Sequence, residues 1–168
     1  MGLQGVYVGR KRVREFLNLL GPHGLKEGWL NDHIQLQTIV DVSADGNTAW
    51  VRSRELGMTG EYQKQGAWSE GIYENTFVKQ DGVWKIKALR YYPFWHGSFE
   101  DGWAKTPMDF IPMANTTWPQ DPLDPDALID PAPRLWPATD IVPFHYPHPV
   151  TGQPIEIDNS RAREGYAD

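Results

Sequence analysis

The chain has 168 residues, 40% of them hydrophobic, no cysteine and a formal net charge of −6 at pH 7. That length suits one domain with a true core, and the missing cysteine excludes disulfide frameworks, thiolate catalysis and Cys-based zinc sites while fitting a reducing compartment. The charge is uneven: Met1–Thr106 carries 13 Lys/Arg against 12 Asp/Glu, whereas residues 107–168 carry 3 against 10, so neither part has the basic excess of a nucleic-acid binder. No apolar run approaches a membrane span, and "MGLQGVYVG" lacks the regions of a signal peptide. Val6 stands where a myristoylation pattern needs Ser or Thr. The expectation is a soluble, cytoplasmic protein.

"GVYVG" (Gly5 to Gly9) reads as a short strand. In "RKRVREFLNLLG", Val13, Phe16, Leu17 and Leu20 recur at i, i+3, i+4, i+7 and predict an amphipathic helix that stops at Gly21-Pro22. Its Arg10, Lys11, Arg12 and Arg14 fit a solvated face, with phosphate binding as the alternative. "HIQLQTIVDV" alternates: Ile34, Leu36, Val40 and Val42 take one side, and His33, Gln35, Gln37 and Asp41 the other. Asp45-Gly46 makes a hairpin turn into "TAWVRSREL". "GMTGEYQKQ" reads as a polar loop, followed by the long strand "GAWSEGIYENTFVKQ", a Gln-Asp-Gly turn and "VWKIKALRYYPFW". In that last segment Trp84, Ile86, Ala88 and Arg90 share one face and Lys85, Lys87, Leu89 and Tyr91 the other. Neither face is cleanly polar, as in a strand lining a partly wet cavity or an interface.

At Pro107 the character changes, since 12 of the 14 prolines lie from there on. Such a segment makes neither regular helix nor central strand. It nevertheless carries Phe110, Ile111, Trp118, Leu135, Trp136, Phe144 and Tyr146, which disordered linkers lack. The expected organisation is a domain over 1–106 and an extended, acidic, proline-rich tail over 107–168 that packs on the domain or on a neighbouring subunit.

Gly-rich phosphate loops, the Gly-x-Ser-x-Gly elbow and His-Glu-x-x-His are absent. Asp121, Asp124, Asp126 and Asp130 miss EF-hand spacing. His145 and His148 lack a local carboxylate cluster, so packing of the tail is preferred over a metal, and neither a metal nor another cofactor is expected. Glu70 and Glu74 share a strand face, as paired carboxylates for acid–base work or as exposed strand acids. Trp29, Trp50, Trp68, Trp84, Trp95 and Trp103 form either core or the wall of a pocket for a flat ligand. His33 opens its strand beside Gln35 and Gln37. A histidine on a polar strand face inside a cavity serves as general acid or base near neutral pH; the alternative is a strand-end histidine bonded to a loop.

Three stretches carry a resemblance: "GVYVGRKRVREFL", "HIQLQTIVDVSADGNTAW" and "EGIYENTFVKQDGVWKIKALRYYP". Together, over roughly Gly5 to Trp103, they resemble the SnoaL-like branch of the nuclear-transport-factor-two-like superfamily. The resemblance implies an α+β fold, a curved antiparallel sheet forming a cone-like α+β barrel around a pocket, here with one main helix and the long tail. The superfamily holds polyketide cyclases, ketosteroid isomerases and scytalone and bile-acid dehydratases. His33 matches the acid–base histidine of the dehydratases. The family pattern begins with two helices and a short strand before "GVYVG", carrying a Tyr/Asp pair. The sequence reads as lacking them, and "TAWVRSREL" has no counterpart of scytalone dehydratase's second histidine.

The expectation is therefore a binder of a small hydrophobic or aromatic hydroxy compound, acting as a cofactor-independent dehydratase, isomerase or cyclase. His33 is the acid–base, and Gln35, Gln37, Trp50, Arg52, Trp68, Tyr73, Asn75 and Tyr91 are the substrate-binding candidates. The alternatives are a non-catalytic ligand-binding or oligomer-assembly module and a truncated inactive relative. A homo-oligomer is expected; nucleic-acid and membrane partners are not.

Overall fold

The computed structural model describes residues 5–19, 24, 26–106, 125–128, 134, 136–138 and 140–159. Among them it has nine elements in chain order: β1 (Gly5–Val6), α1 (Arg10–Leu19), β2 (Trp29–Val42), β3 (Thr48–Glu61), β4 (Gln65–Gln80), β5 (Val83–Ala88), β6 (Tyr91–Ser98), α2 (Gly102–Lys105) and β7 (Ala127–Leu128). The class is α+β, as the resemblance implies. Five strands form an antiparallel sheet in the order β2-β3-β4-β5, with β6 also on β4, while β1 and β7 pair by themselves.

The hairpins follow from their turns. Gly46 adopts φ 69°, and Asp81-Gly82 places two successive residues at φ 52° and 78°, the left-handed pair a tight two-residue turn demands. Beyond it β4 and β5 run in register, with Lys79 opposite Trp84 and Gln80 opposite Val83. The Lys79 ammonium lies 5.8 Å from the Trp84 ring centre.

Two expectations are corrected. Residues 57–65 are not a loop: β3 continues to Glu61, turns through Tyr62–Lys64 with Gln63 at φ 59°, and returns as β4. Gly57, Gly60 and Gly66 weaken the strand signal there, yet the backbone finds ladder partners. "VWKIKALRYYPFW" is also two strands rather than one. Both pair with β4, and the break at Leu89-Arg90 is met by a register shift between Thr76 and Phe77. The Asn75 carboxamide oxygen accepts the Arg90 backbone N–H at 3.1 Å, and the Arg90 carbonyl accepts the Glu74 N–H at 2.9 Å. The break therefore leaves these backbone groups satisfied.

The described residues fall into two compact units, Met1–Asn31, Met58–Trp68 and His96–Ala132 in one, and Asp32–Gly57, Ser69–Trp95 and Pro133–Asp168 in the other. In the first, α1 follows Gly9 (φ 87°), whose carbonyl accepts the Val13 N–H at 3.0 Å. The Phe16 ring stacks on Tyr7 at 4.5 Å. Val13 and Leu17, the rest of the described stripe, stay 41% and 54% exposed. Asp126 accepts the Val8 N–H at 2.7 Å and the Arg12 guanidinium at 3.0 Å. Arg12 is thus committed to a carboxylate rather than held for a phosphate. Asp121, Asp124, Asp130, Phe110, Ile111, Trp118, Leu135 and Leu20 lie outside the described residues or have undescribed side chains.

In the second unit, among the described residues, the buried apolar side chains are Ala49, Ile72 and Val142, at 5%, 4% and 2% exposure. Val142 comes from the proline-rich tail. The same tail donates the Trp136 N–H to the Phe94 carbonyl at 2.7 Å, and its Pro143 carbonyl accepts from the Arg52 guanidinium at 2.9 Å. Arg134 and Asp140 close the segment on itself: the guanidinium donates twice to one carboxylate oxygen, and the Arg134 backbone N–H donates to the other at 2.9 Å.

Because Val142 is buried at 2% exposure, Val142→Ala is expected to lower unfolding stability by about 1–2 kcal/mol, read from the urea midpoint. Val150→Ala, at 86% exposure, is expected to leave that midpoint unchanged.

Candidate functional site

Alternation in β3 places Ala49, Ser53, Glu55 and Gly57 on one face and Trp50, Arg52 and Arg54 on the other. Glu55 has 0% exposure. A carboxylate so placed is tolerable only when hydrogen bonds replace its water. Three donors do so, each from a different strand. His33 Nδ1 of β2 lies 2.7 Å from Glu55 Oε1, Ser69 Oγ of β4 donates to the same oxygen at 3.0 Å, and the Tyr91 hydroxyl of β6 donates to Oε2 at 2.9 Å. Nearby, the Ser53 hydroxyl donates to the Gln35 amide oxygen, and the Gln35 amide donates to the His33 carbonyl at 3.2 Å. The Tyr73 ring lies 4.7 Å from that of Tyr91.

Two glycines make the room. A Cβ on Gly57 would collide with Glu55 Oε1 and Ser69 Oγ, and one on Gly71 would sit 2.5 Å from the Tyr91 ring. Neither position accepts a side chain without moving the cluster.

Burial by itself would raise the Glu55 carboxyl. The bonds from His33, Tyr91 and Ser69, with the nearby His33 charge, outweigh it and hold the group below its ordinary value. Burial, then the Glu55 charge, pushes the Tyr73 phenol up to about 12. The same two causes, in that order, raise Tyr91 further. Both phenols therefore remain hydrogen-bond donors throughout the physiological range. An ionised carboxylate only accepts, which assigns the proton of the neutral His33 ring to Nδ1 and makes Nε2 the basic nitrogen. The His33 side chain is 40% exposed, so one edge of the ring is anchored in the buried cluster while the ring still reaches solvent.

Of the sequence-derived candidates, the structure brings His33, Gln35, Tyr73 and Tyr91 together around Glu55. Arg52 lies on the other face. It pairs with Glu74, donates to Pro143 and packs 4.2 Å from the centre of the Phe144 ring. Trp50 and Asn75 line a recess of about 150 Å3 with Glu74, Arg90, Phe144 and His145, and Asn75 already caps the β5–β6 break. Trp68 belongs to the first unit, stacked on Phe99 with ring centres 6.1 Å apart. Gln37 has φ 51°, a left-handed backbone within β2.

That dihedral corrects the strand reading. His33 and Gln35 face Glu55 and Ser53, but Asp41 lies 3.1 Å from His145 Nε2. His145 Nδ1 in turn lies 2.7 Å from Glu74, the partner of Arg52. The left-handed residue at 37 interrupts the alternation, so Asp41 joins the opposite face. Glu70 and Glu74 are likewise ion-paired, with Arg54 and Arg52, and Trp95 Nε1 donates to Glu70 at 2.8 Å. His148 Nδ1 accepts the Val150 and Thr151 backbone N–H groups at 3.2 Å. Among the described residues no three His, Asp or Glu side chains form a metal-holding group, and no helix is long and apolar enough to cross a membrane.

Sequence reasoning missed Glu55 and Ser69. Glu55 sits in "RSREL" beside Arg52 and Arg54 and reads as one more surface charge. The available signal was its face: Ser53 and Gly57, two residues to either side, are both small and leave space for an inward carboxylate.

A buried carboxylate thus orients a histidine on the antiparallel sheet of an α+β domain. The model of the SnoaL-like domain matches residues 1–90, and the chain belongs to that family. Comparison with curated proteins returns no match.

The depressed Glu55 carboxyl fixes a sign. Its contribution to stability is fully present above the ordinary glutamate value of about 4.3 and is lost as pH falls through the lower folded-state value. Resistance to urea unfolding is expected to fall on acidification below about pH 4, and Glu55→Gln to flatten that dependence while costing about 1–3 kcal/mol at pH 7.

Proposed function

We propose that the protein binds a small hydrophobic or aromatic hydroxy compound against the Glu55 face and transfers a proton with His33, as a dehydratase or isomerase that needs no cofactor. The observation that carries this reading is the 2.7 Å contact between His33 Nδ1 and a carboxylate of 0% exposure. A histidine so held has its tautomer and its ring orientation set for proton transfer.

For a β-hydroxy ketone the steps follow from the residues. His33 Nε2 takes the proton α to the carbonyl, and the electron pair of that C–H bond moves into the enolate. The Tyr73 phenol, kept protonated, donates to the enolate oxygen. The enolate then expels the β-hydroxyl, which takes the proton from the imidazolium and leaves as water. For an isomerase, the same imidazolium returns the proton to a different carbon of the dienolate. Glu55 stays ionised throughout and balances the imidazolium.

The test is a panel of β-hydroxy and β,γ-unsaturated ring ketones assayed by ultraviolet absorbance of the conjugated product. His33→Ala is expected to lower kcat by roughly 10²–10⁴-fold and Glu55→Gln by roughly 10–100-fold with a shifted pH profile. A turnover unaffected by His33→Ala removes the assignment.

A second reading, an assembly module, is favoured by one observation. β2 has β3 as its strand neighbour at the edge of the five-stranded order, and along it Ile34, Leu36, Ile39, Val40 and Val42 are 38–55% exposed. A long apolar edge strand is a pairing surface. Sedimentation velocity is expected to show a concentration-dependent oligomer that Val40→Lys dissociates; a monomer at every concentration rejects this reading.

A further inference from the structure

We propose that the first unit carries a ligand site of its own, an aromatic-walled recess at the β3–β4 hairpin. It would take a flat ring compound bearing a hydrogen-bond acceptor and no negative charge. The recess has a volume of about 900 Å3 and is walled by Trp29, Tyr62, Trp68 and Phe99. That volume lies within the range of small-molecule clefts, roughly 300–1,000 Å3.

The walls are held in place although they are not core. Tyr62 is 75% exposed and Phe99 61%, yet the Tyr62 N–H donates to the Gly28 carbonyl at 2.7 Å and the Phe99 N–H to the Gly66 carbonyl at 2.9 Å. Trp68 and Phe99 are within 18° of parallel. A Cβ on Gly66 would come 3.2 Å from Phe99 Cβ, so the glycine at this position lets the ring lie where it does. Fixed, solvent-facing aromatic surfaces lose little entropy when a flat ring covers them.

Two further observations define the chemistry of the guest. The Trp29 indole N–H is buried without an acceptor among the described residues, while the Lys26 ammonium lies 4.3 Å from the centre of its ring. A buried donor in that state is costly; the N–H is screened from solvent, so a ligand carbonyl becomes its acceptor only as the indole turns toward the recess. The rest of the lining includes Glu27, Glu61 and Glu100 against Lys64, and Lys64 is tied to Glu61 at 2.6 Å. The wall is net negative and disfavours an anion.

The lining shares no residue with the Glu55 cluster, so this site stands or falls independently of the His33 chemistry. The probes are 2-naphthamide and its anionic isostere 2-naphthoate, titrated at pH 7 with the Trp29 indole N–H followed by ¹H–¹⁵N NMR and assigned by its loss in Trp29→Phe. The amide is expected to bind with a Kd on the order of 100 µM, to shift the Trp29 resonance, and to bind roughly tenfold more tightly than the acid. Tyr62→Ala and Phe99→Ala, both at exposed positions, are expected to weaken it roughly tenfold each and Trp29→Phe roughly fivefold, while His33→Ala leaves it unchanged. Absence of saturable amide binding, equal affinity for the acid, or an affinity indifferent to both alanine variants overturns the proposal.

Discussion

The arrangement of the second unit depends on one carboxylate. Glu55 is fully enclosed, and an enclosed charge without partners is among the most expensive features a fold can hold. Its partners come from β2, β4 and β6, three strands that only the correct pairing with β3 and β4 brings to one place. A slip of any of these by one residue would turn its donor to the other face and strand the charge. The site chemistry and the strand register are therefore one constraint: whatever the His33 ring does for a ligand, its anchor also specifies how the sheet is put together.

The two faces of this sheet solve the charge problem differently. On the Glu55 face a single carboxylate is satisfied by neutral or titratable donors and small side chains. On the other, Arg52 and Arg54 meet Glu74 and Glu70 in ion pairs. The tail lies over the first of these with Phe144 against the guanidinium and His145 between Glu74 and Asp41. The tail thus covers charge as well as hydrocarbon. Its Val142 is buried alongside Ala49 and Ile72 of the sheet among the described residues, and Phe144 of the proline-rich segment has a place to go.

Much of the chain order was legible. Asp45-Gly46 and Asp81-Gly82 announce their turns because only residues tolerant of positive φ fit there, and the apolar spacing of Val13, Phe16 and Leu17 announces α1. The β3–β4 hairpin was not legible. Its glycines and polar residues look like loop, and what makes them strand is the partner across the turn, a tertiary fact. His33, Gln35, Tyr73 and Tyr91 could be picked out by type and position, but not their centre. Glu55 differs from a surface acid only in what its neighbours at two-residue steps omit. Arg52 and Asn75 have the chemistry of ligand-binding groups and are instead occupied, one by the tail and one by the backbone of a strand break.

The left-handed backbone at Gln37 has a consequence for how this strand can vary. Upstream of it the chain addresses the histidine cluster; downstream it addresses the tail. A one-residue deletion at that point would restore strict alternation and force a choice between the two attachments. A conservative exchange of side chains on either half leaves both intact. The strand is thus two independent modules joined at a phase change, and length, far more than composition, is what natural or designed variants must preserve there.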